Sequence, residues 1–279
     1  MTAPLLSVEN LVVEYPVAQG RFRAVDTVSF SVDKGKTIAI VGESGCGKST
    51  IAKSIVRLLT PTAGRIVVDG TDIAQMSEKS LRPFRSRVQM VFQDPYGSLD
   101  PHLTAVDIVG EPLRLKGIRS KSERVAKAAE LIDRVGLPTT ALGRRPAEFS
   151  GGQRQRIGIA RALASGPEVL VCDEATSALD VSVQAQVLEL LREIQQQTGL
   201  TYVFISHNLG VVREISETVI VMSKGRVVES GDTEEVLARP KEPYTRALRA
   251  AALDPAAMTG IKPRHVVSRL TNAPVGAPA

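Results

Sequence analysis

TIAIVGESGCGKST, residues 37–50, decides the fold. Thr37–Val41 is short and apolar, the composition of a fully buried strand. It runs into Gly42-Glu43-Ser44-Gly45-Cys46-Gly47-Lys48-Ser49, which fits the P-loop pattern G-x-x-x-x-G-K-[ST]. Beyond the glycines, Ile51, Ile55, Leu58 and Leu59 recur at helical spacing, predicting a helix over Ser49–Leu59 that Pro61 stops. Strand, glycine loop and helix in this order make an anion cradle. Glycine lets the backbone wrap closely, and successive N–H groups at a helix N-terminus present positive potential to phosphate. Residues from Gly42 through Ser49 and Thr50 are therefore expected to line a nucleotide's phosphates. Lys48 is expected to reach the β- and γ-phosphates, and Ser49 to ligate Mg²⁺.

Working outward, residues 5–15 (LLSVENLVVEY) read as an early strand, and Val25–Val32 alternates with period two. Lys34-Gly35-Lys36 reads as a turn and Arg65–Asp69 as another strand. Between about Asp94 and Ser165 strand-like runs disappear. There Ser122–Val135 has a helical pattern, with Val125, Ala128, Ala129, Ile132 and Val135 on one face, ended by Gly136 and Pro138. Strands return at Val169–Cys172 and Thr201–Ile205, with a helix over Val183–Gln197 between them. Val219–Met222 and Arg226–Glu229 follow, joined by the turn Ser223-Lys224-Gly225. Such alternation predicts an α/β core with a mainly parallel sheet. The expected division is a core from residues 5–93 and 166–240, a helical subdomain over 94–165, and a C-terminal extension over 241–279 whose last dozen residues read as disordered.

A magnesium acid and a catalytic base are expected on a neighbouring strand. Val169-Leu170-Val171-Cys172-Asp173-Glu174 supplies both. An apolar strand ending in two carboxylates is costly unless a cation or substrate uses them. Asp173 is placed to hold Mg²⁺, and Glu174 to polarise an attacking water.

Six elements now stand in a fixed order: the P-loop, Gln93, Phe149-Ser150-Gly151-Gly152-Gln153-Arg154-Gln155-Arg156, Asp173-Glu174, Ser177-Ala178-Leu179-Asp180 and His207. Together they resemble the ATP-binding subunit of an ATP-binding cassette (ABC) transporter over nearly the whole chain. The resemblance implies a P-loop NTPase (RecA-like) core with an N-terminal antiparallel β region and an inserted helical subdomain. It implies a sandwich in which Ser150, Gly151, Gly152 and Gln153 of one chain face the γ-phosphate bound to a second chain. It further implies that Gln93 senses the γ-phosphate and Mg²⁺, that His207 touches the γ-phosphate, and that Asp180 aligns the facing subunit. Tyr15 lies where the family often stacks an aromatic on adenine, with Phe22 as a rival. Asp94-Pro95-Tyr96-Gly97-Ser98-Leu99-Asp100-Pro101 and Glu242-Pro243-Tyr244-Thr245-Arg246-Ala247-Leu248 are similar to segments of the oligopeptide/dipeptide importers. In structural terms Pro243 and Tyr244 would open and pack a terminal helix. The implied partners are a non-identical sister cassette, two transmembrane permeases contacted near the segment after Gln93, and, indirectly, an extracytoplasmic solute-binding protein. Rival readings are an exporter's cassette and a soluble ABC ATPase. One P-loop, one signature and no heptad run favour the importer over the soluble ATPase, and the exporter is less expected because exporters often fuse cassette and membrane spans.

Composition narrows the class further. Of 279 residues, 43% are hydrophobic, enough for a substantial core. No stretch reaches the roughly eighteen consecutive apolar residues of a membrane span, and MTAPLLSVENLVVEYP has no secretory pattern. A cytosolic chain at the inner face of the membrane is the expectation. Net charge is +5, yet aromatics are only 4% and no basic run occurs, so no nucleic-acid partner is expected. Cys46 and Cys172 are the two cysteines, too few for a disulfide framework or a zinc site. Some relatives of the implied family carry a C-terminal cysteine cluster. No cysteine follows Cys172 in this sequence, so an iron–sulfur centre is not expected.

Overall fold

Two sheets carry the chain, and the sequence periods explain their different burial. The computed structural model describes residues 3–18, 20–94 and 96–253. Strands β1 (Leu6–Val17) and β2 (Gly20–Val32) form an antiparallel hairpin in which Leu6, Val8, Leu11 and Val13 are buried. The alternation marks a sheet with one wet face. β3 (Thr37–Gly42) is buried at every position, as its apolar run predicts. Helix α1 (Lys48–Ile55) follows the loop, then β4 (Ala63–Val68) and β5 (Thr71–Asp72). Next come α2 (Glu78–Arg87), β6 (Val88–Val91), α3 (Ala105–Leu115), α4 (Lys121–Arg134) and α5 (Gly151–Ala164). β7 (Val169–Asp173), α6 (Val181–Thr198), β8 (Thr201–Ile205), α7 (Leu209–Ile215) and β9 (Thr218–Ser223) continue the alternation. β10 (Arg226–Asp232), α8 (Thr233–Ala238) and α9 (Pro243–Leu253) close it.

The antiparallel sheet has order β2-β1-β4-β5, and the second sheet β10-β9-β3-β8-β7-β6. In the second, β9, β3, β8, β7 and β6 run parallel and β10 pairs antiparallel with β9. This is the α/β core with an N-terminal antiparallel region that the sequence implied. Alternate residues of the parallel strands face opposite sides. Val169, Val171, Val203 and Ile205 join α1 and the antiparallel sheet in one apolar cluster. Leu170, Cys172, Tyr202 and Phe204 face the other way, into a cluster with α3, α4, α5 and α6. Ala39, Val41, Val219 and Val221 form a third cluster with α7 and α8, against which Tyr244 and Leu248 of α9 pack.

The structure corrects several boundaries. α1 ends at Ile55, not Leu59, and stops well before Pro61. Arg57 takes a left-handed φ of 54° and Leu58 is exposed. A long-range constraint accounts for the early stop. The buried Arg57 guanidinium donates to the carbonyls of Ile73 (2.8 Å) and Met76 (3.1 Å) and to Thr60 Oγ1 (2.9 Å). On α4, Ala128 and Ile132 are buried and Val135 is buried just beyond it, but Val125 is exposed. α9 opens at Pro243 as expected, while the tail read as disordered lies outside the described residues.

Arg57→Ala removes a buried donor fork and should destabilise the chain by about 2–4 kcal/mol. The midpoint of urea denaturation measures this. A loss below about 0.5 kcal/mol would show that the turn stands without the guanidinium.

Candidate functional site

The loop between β3 and α1 sits where its glycines allow it. Gly47 caps α1 with φ 106°, and a Cβ there would lie 2.4 Å from the carbonyl oxygen of Ala24 on β2. No other residue fits this corner without moving backbone. Lys48 is 4% exposed and folds back over the loop, donating from Nζ to the carbonyls of Gly42 and Glu43, each at 2.8 Å. Of its three donors two are thus aimed at the loop's own backbone.

Parallel strands bring the other residues to the same edge. Ser49 Oγ donates to Asp173 Oδ1 at 3.0 Å, reaching from α1 to the end of β7. Burial pushes the Asp173 carboxyl above its usual range; Glu174 adds to this and the Ser49 hydroxyl opposes it. Glu174, the next residue, has a left-handed φ of 48°. Non-glycine residues adopt this conformation only when the surroundings enforce it, commonly at functional sites. Its Oε2 accepts from Gln93 Nε2 at 2.8 Å and lies 3.4 Å from His207 Nδ1. His207 holds the Glu174 carboxyl below its usual range against the effect of burial. Reciprocally, Glu174 raises the His207 imidazole. Gln93 follows β6, Glu174 follows β7 and His207 follows β8, so three neighbouring strands each deliver one group.

The serine–glycine stretch starts α5. Ser150 Oγ accepts from the Gln153 N–H at 3.3 Å, and Gln153 Oε1 accepts from the Ser150 N–H at 3.0 Å, a capping box. The N–H groups of Gly151 and Gly152 belong to the first turn, where helix donors lack intrahelical partners. A Cβ on Gly152 would lie 2.4 Å from Val183 Cγ1, so its absence lets α5 start against the first turn of α6. Asp180 caps that turn, accepting from the Val183 N–H (2.9 Å) and the Ser182 hydroxyl (2.8 Å). Among the described residues no hydrogen bond joins 150–153 to the 42–50 loop. Tyr15 and Phe22 are directly opposed on the hairpin. The Tyr15 hydroxyl lies 3.4 Å from Thr50 Oγ1, whereas Phe22 is exposed.

Residues 25–177 match the family described as ABC transporter. The chain belongs to that family. It is 51% identical over 259 residues to the protein named "Probable peptide ABC transporter ATP-binding protein y4tS" from Sinorhizobium fredii, covering 90% of this chain and 73% of that one. The oligopeptide transport ATP-binding protein OppF of Bacillus subtilis is 47% identical over 253 residues, covering 90% and 83%. Among solved structures, the dimeric ATP-binding cassette MJ0796 in a post-hydrolysis state bound to ADP and Pi superposes with a TM-score of 0.76. It is 31% identical and covers 82% of this chain and 98% of its own. The chain is thus an ABC ATPase cassette. Among the described residues no helix is long and apolar enough to cross a membrane.

Within this ABC cassette the structure joins two motifs that the sequence kept apart. The Arg154 guanidinium carbon lies 3.8 Å from the centroid of the Tyr96 ring, three residues after Gln93. Arg154 is buried and donates to the carbonyls of Pro146 (2.6 Å) and Ala147 (3.4 Å). Seven residues further along α5, Arg161 Nη1 donates to the Ser98 carbonyl at 2.5 Å. The loop after Gln93 is therefore pinned to the helix that Ser150 caps. Both Tyr96 and Arg154 stood inside quoted motifs, but nothing in sequence spacing pairs them.

Tyr96→Ala removes a cation–π contact worth about 1–2 kcal/mol. Hydrogen exchange over residues 96–100 should accelerate severalfold, with exchange in β7 unchanged. Equal exchange in both proteins would mean that Arg161 alone holds the loop.

Proposed function

We propose that this chain energises a peptide importer by binding MgATP in the 42–50 loop and hydrolysing it at the carboxyl ends of β6, β7 and β8. The observation that carries the reading is the convergence of Gln93, Glu174 and His207 beside a P-loop whose Ser49 bonds Asp173. Lys48 with the loop N–H groups is the phosphate-binding set, extending from Gly42 through Glu43, Ser44, Gly45, Cys46, Gly47 and Ser49 to Thr50. The donor set at the cation position suits Mg²⁺: a hydroxyl from Ser49, a carboxylate from Asp173 and the amide oxygen of Gln93 are all hard oxygen ligands. A buried carboxylate whose charged form burial disfavours also calls for a cation. When bound, that ion supplies charge neutralisation for the phosphates.

Glu174 acts as general base, taking a proton from the attacking water at its carboxylate. Gln93 and His207 orient that carboxylate, and His207 also contacts the γ-phosphate. Tyr15 stacks on the adenine, a choice over Phe22 supported by its reach to Thr50. Ser150, Gly151, Gly152 and Gln153 face the nucleotide of a second cassette, a reading supported by the first-turn N–H groups of Gly151 and Gly152, which have no partner within the helix. Asp180 shapes the same facing surface through α6. We assign residues 5–93 and 166–240 to the ATP-binding core, 94–165 to the signature subdomain and 241–279 to a C-terminal extension. The importer's other parts are a sister cassette, two permeases approached through the segment after Gln93, and an extracytoplasmic binding protein. This chain lies peripherally on the cytoplasmic face. Peptide as the solute is supported by the named roles of relatives 51% and 47% identical.

Lys48→Ala should weaken binding of a fluorescent ATP analogue by about a hundredfold, the scale of lost charge-assisted hydrogen bonds. Glu174→Gln should bind ATP normally, cut phosphate release about a hundredfold or more, and accumulate as an ATP-bound dimer in light scattering. Near-normal turnover would transfer the base to another group. Labelled-peptide uptake in a deletion strain, restored by the wild-type gene and not by Glu174→Gln, tests the importer role. Unimpaired uptake in the deletion strain would refute it.

A further inference from the structure

The motif Glu242–Leu248 has no part in the site as described, yet it reaches the phosphate loop. Tyr244, the second residue of α9, accepts a hydrogen bond on its phenol oxygen from the backbone N–H of Glu43 at 3.2 Å. Glu43 is the second residue of the loop and stands 201 positions earlier in the chain. The same residue's carbonyl takes the Lys48 ammonium at 2.8 Å. The backbone of Glu43 is thus held from two directions, by the loop's own lysine and by a phenol that is remote in sequence but adjacent in the fold.

That phenol is not a loose side chain. Glu229 on β10 accepts the N–H groups of Lys241 (2.8 Å) and Glu242 (3.2 Å), fixing the chain just before α9. Arg249 Nη1 donates to the Ala238 carbonyl at 2.7 Å, tying α9 back to α8. Thr245 and Ala247 are buried, and Tyr244 and Leu248 pack on the cluster formed by β3, β9, α7 and α8. β3 leads directly into the loop, so helix and loop rest on one foundation. Burial pushes the Tyr244 phenol up to about 12, which keeps it a neutral hydroxyl at physiological pH.

We propose that Tyr244 is a positioning residue for the nucleotide site: α9 holds the start of the phosphate loop, and so the C-terminal segment sets ATP affinity. This rests on the reading of residues 42–50 as the phosphate-binding loop. A loop that spends less time in its competent shape binds ligand more weakly in proportion to the lost population. Loss of the phenol oxygen leaves the Glu43 N–H unpaired in a half-buried place. One net hydrogen bond corresponds to a change of about three- to tenfold in an equilibrium constant.

The test uses the full chain as Tyr244→Phe, Glu229→Ala and Lys48→Ala. Each is titrated with a fluorescent ATP analogue, and amide exchange at Glu43 is followed without nucleotide. Tyr244→Phe should raise the Kd about three- to tenfold, speed exchange at Glu43, and leave kcat at saturating ATP within about twofold. Glu229→Ala, which loosens α9 without touching the phenol, should raise the Kd in the same direction. A purely structural Tyr244 would lower the unfolding midpoint but leave the Kd unchanged, and that result overturns the proposal. Unaltered exchange at Glu43 overturns it as well. Lys48→Ala separates the two readings: normal affinity there defeats the phosphate-loop assignment, whereas lost affinity there with unchanged Tyr244→Phe defeats only the role of Tyr244.

Discussion

A carboxylate buried to 4% exposure at the end of an apolar strand is the constraint around which the site is arranged. Taking the Asp173 charge out of water costs several kcal/mol unless neighbours offset it. The Ser49 hydroxyl, with Lys53 and Lys48 nearby, supplies part of that offset. β7 lies between β6 and β8, so whatever follows those strands is delivered beside the same carboxylate. Parallel register does this without further design: Val91 pairs with Cys172, and Asp173 with Ile205. Gln93 and His207 emerge within two residues of those pairs. Open parallel sheets place ligands outside their strand carboxyl ends for this reason.

Much of this was legible because the chemistry is local. The glycine loop, the Asp173-Glu174 pair and the capping sequence at Ser150 each depend on residues within eight positions; in the fold the loop leads into α1, the pair stands at the end of β7 and Ser150 caps α5. The apolar strands were legible too, since burial on both faces demands an uninterrupted apolar run. Helix α2 was not foreseen. Its sequence, EKSLRPFRSR, carries Pro83 and is mostly charged and polar, burying only Leu81, so too few apolar residues are present to mark a helical period. α7 is a seven-residue helix started by Asn208, too short for a period to register.

What sequence could not supply were contacts closed by tertiary structure. The early end of α1 follows from carbonyls 16 and 19 residues away that capture Arg57. The Tyr96–Arg154 stack and the Tyr244–Glu43 bond join segments whose spacing carries no information about each other. The hairpin register sets Tyr15 opposite Phe22, so both rivals occupy the same face and only reach separates them.

The apolar cluster that joins α3, α4 and α5 to β7, α6 and β8 runs from Val91 to Ile215. Its helical half is synthesised first, yet Leu170, Tyr202, Phe204 and Ile215 are needed to cover it. On the ribosome, emerging residues near 105–164 therefore expose a greasy, half-built interior until more than fifty further residues have left the exit tunnel. The helical segment is therefore completed by residues that follow it in the chain, and its interior closes only when β8 and α7 are in place.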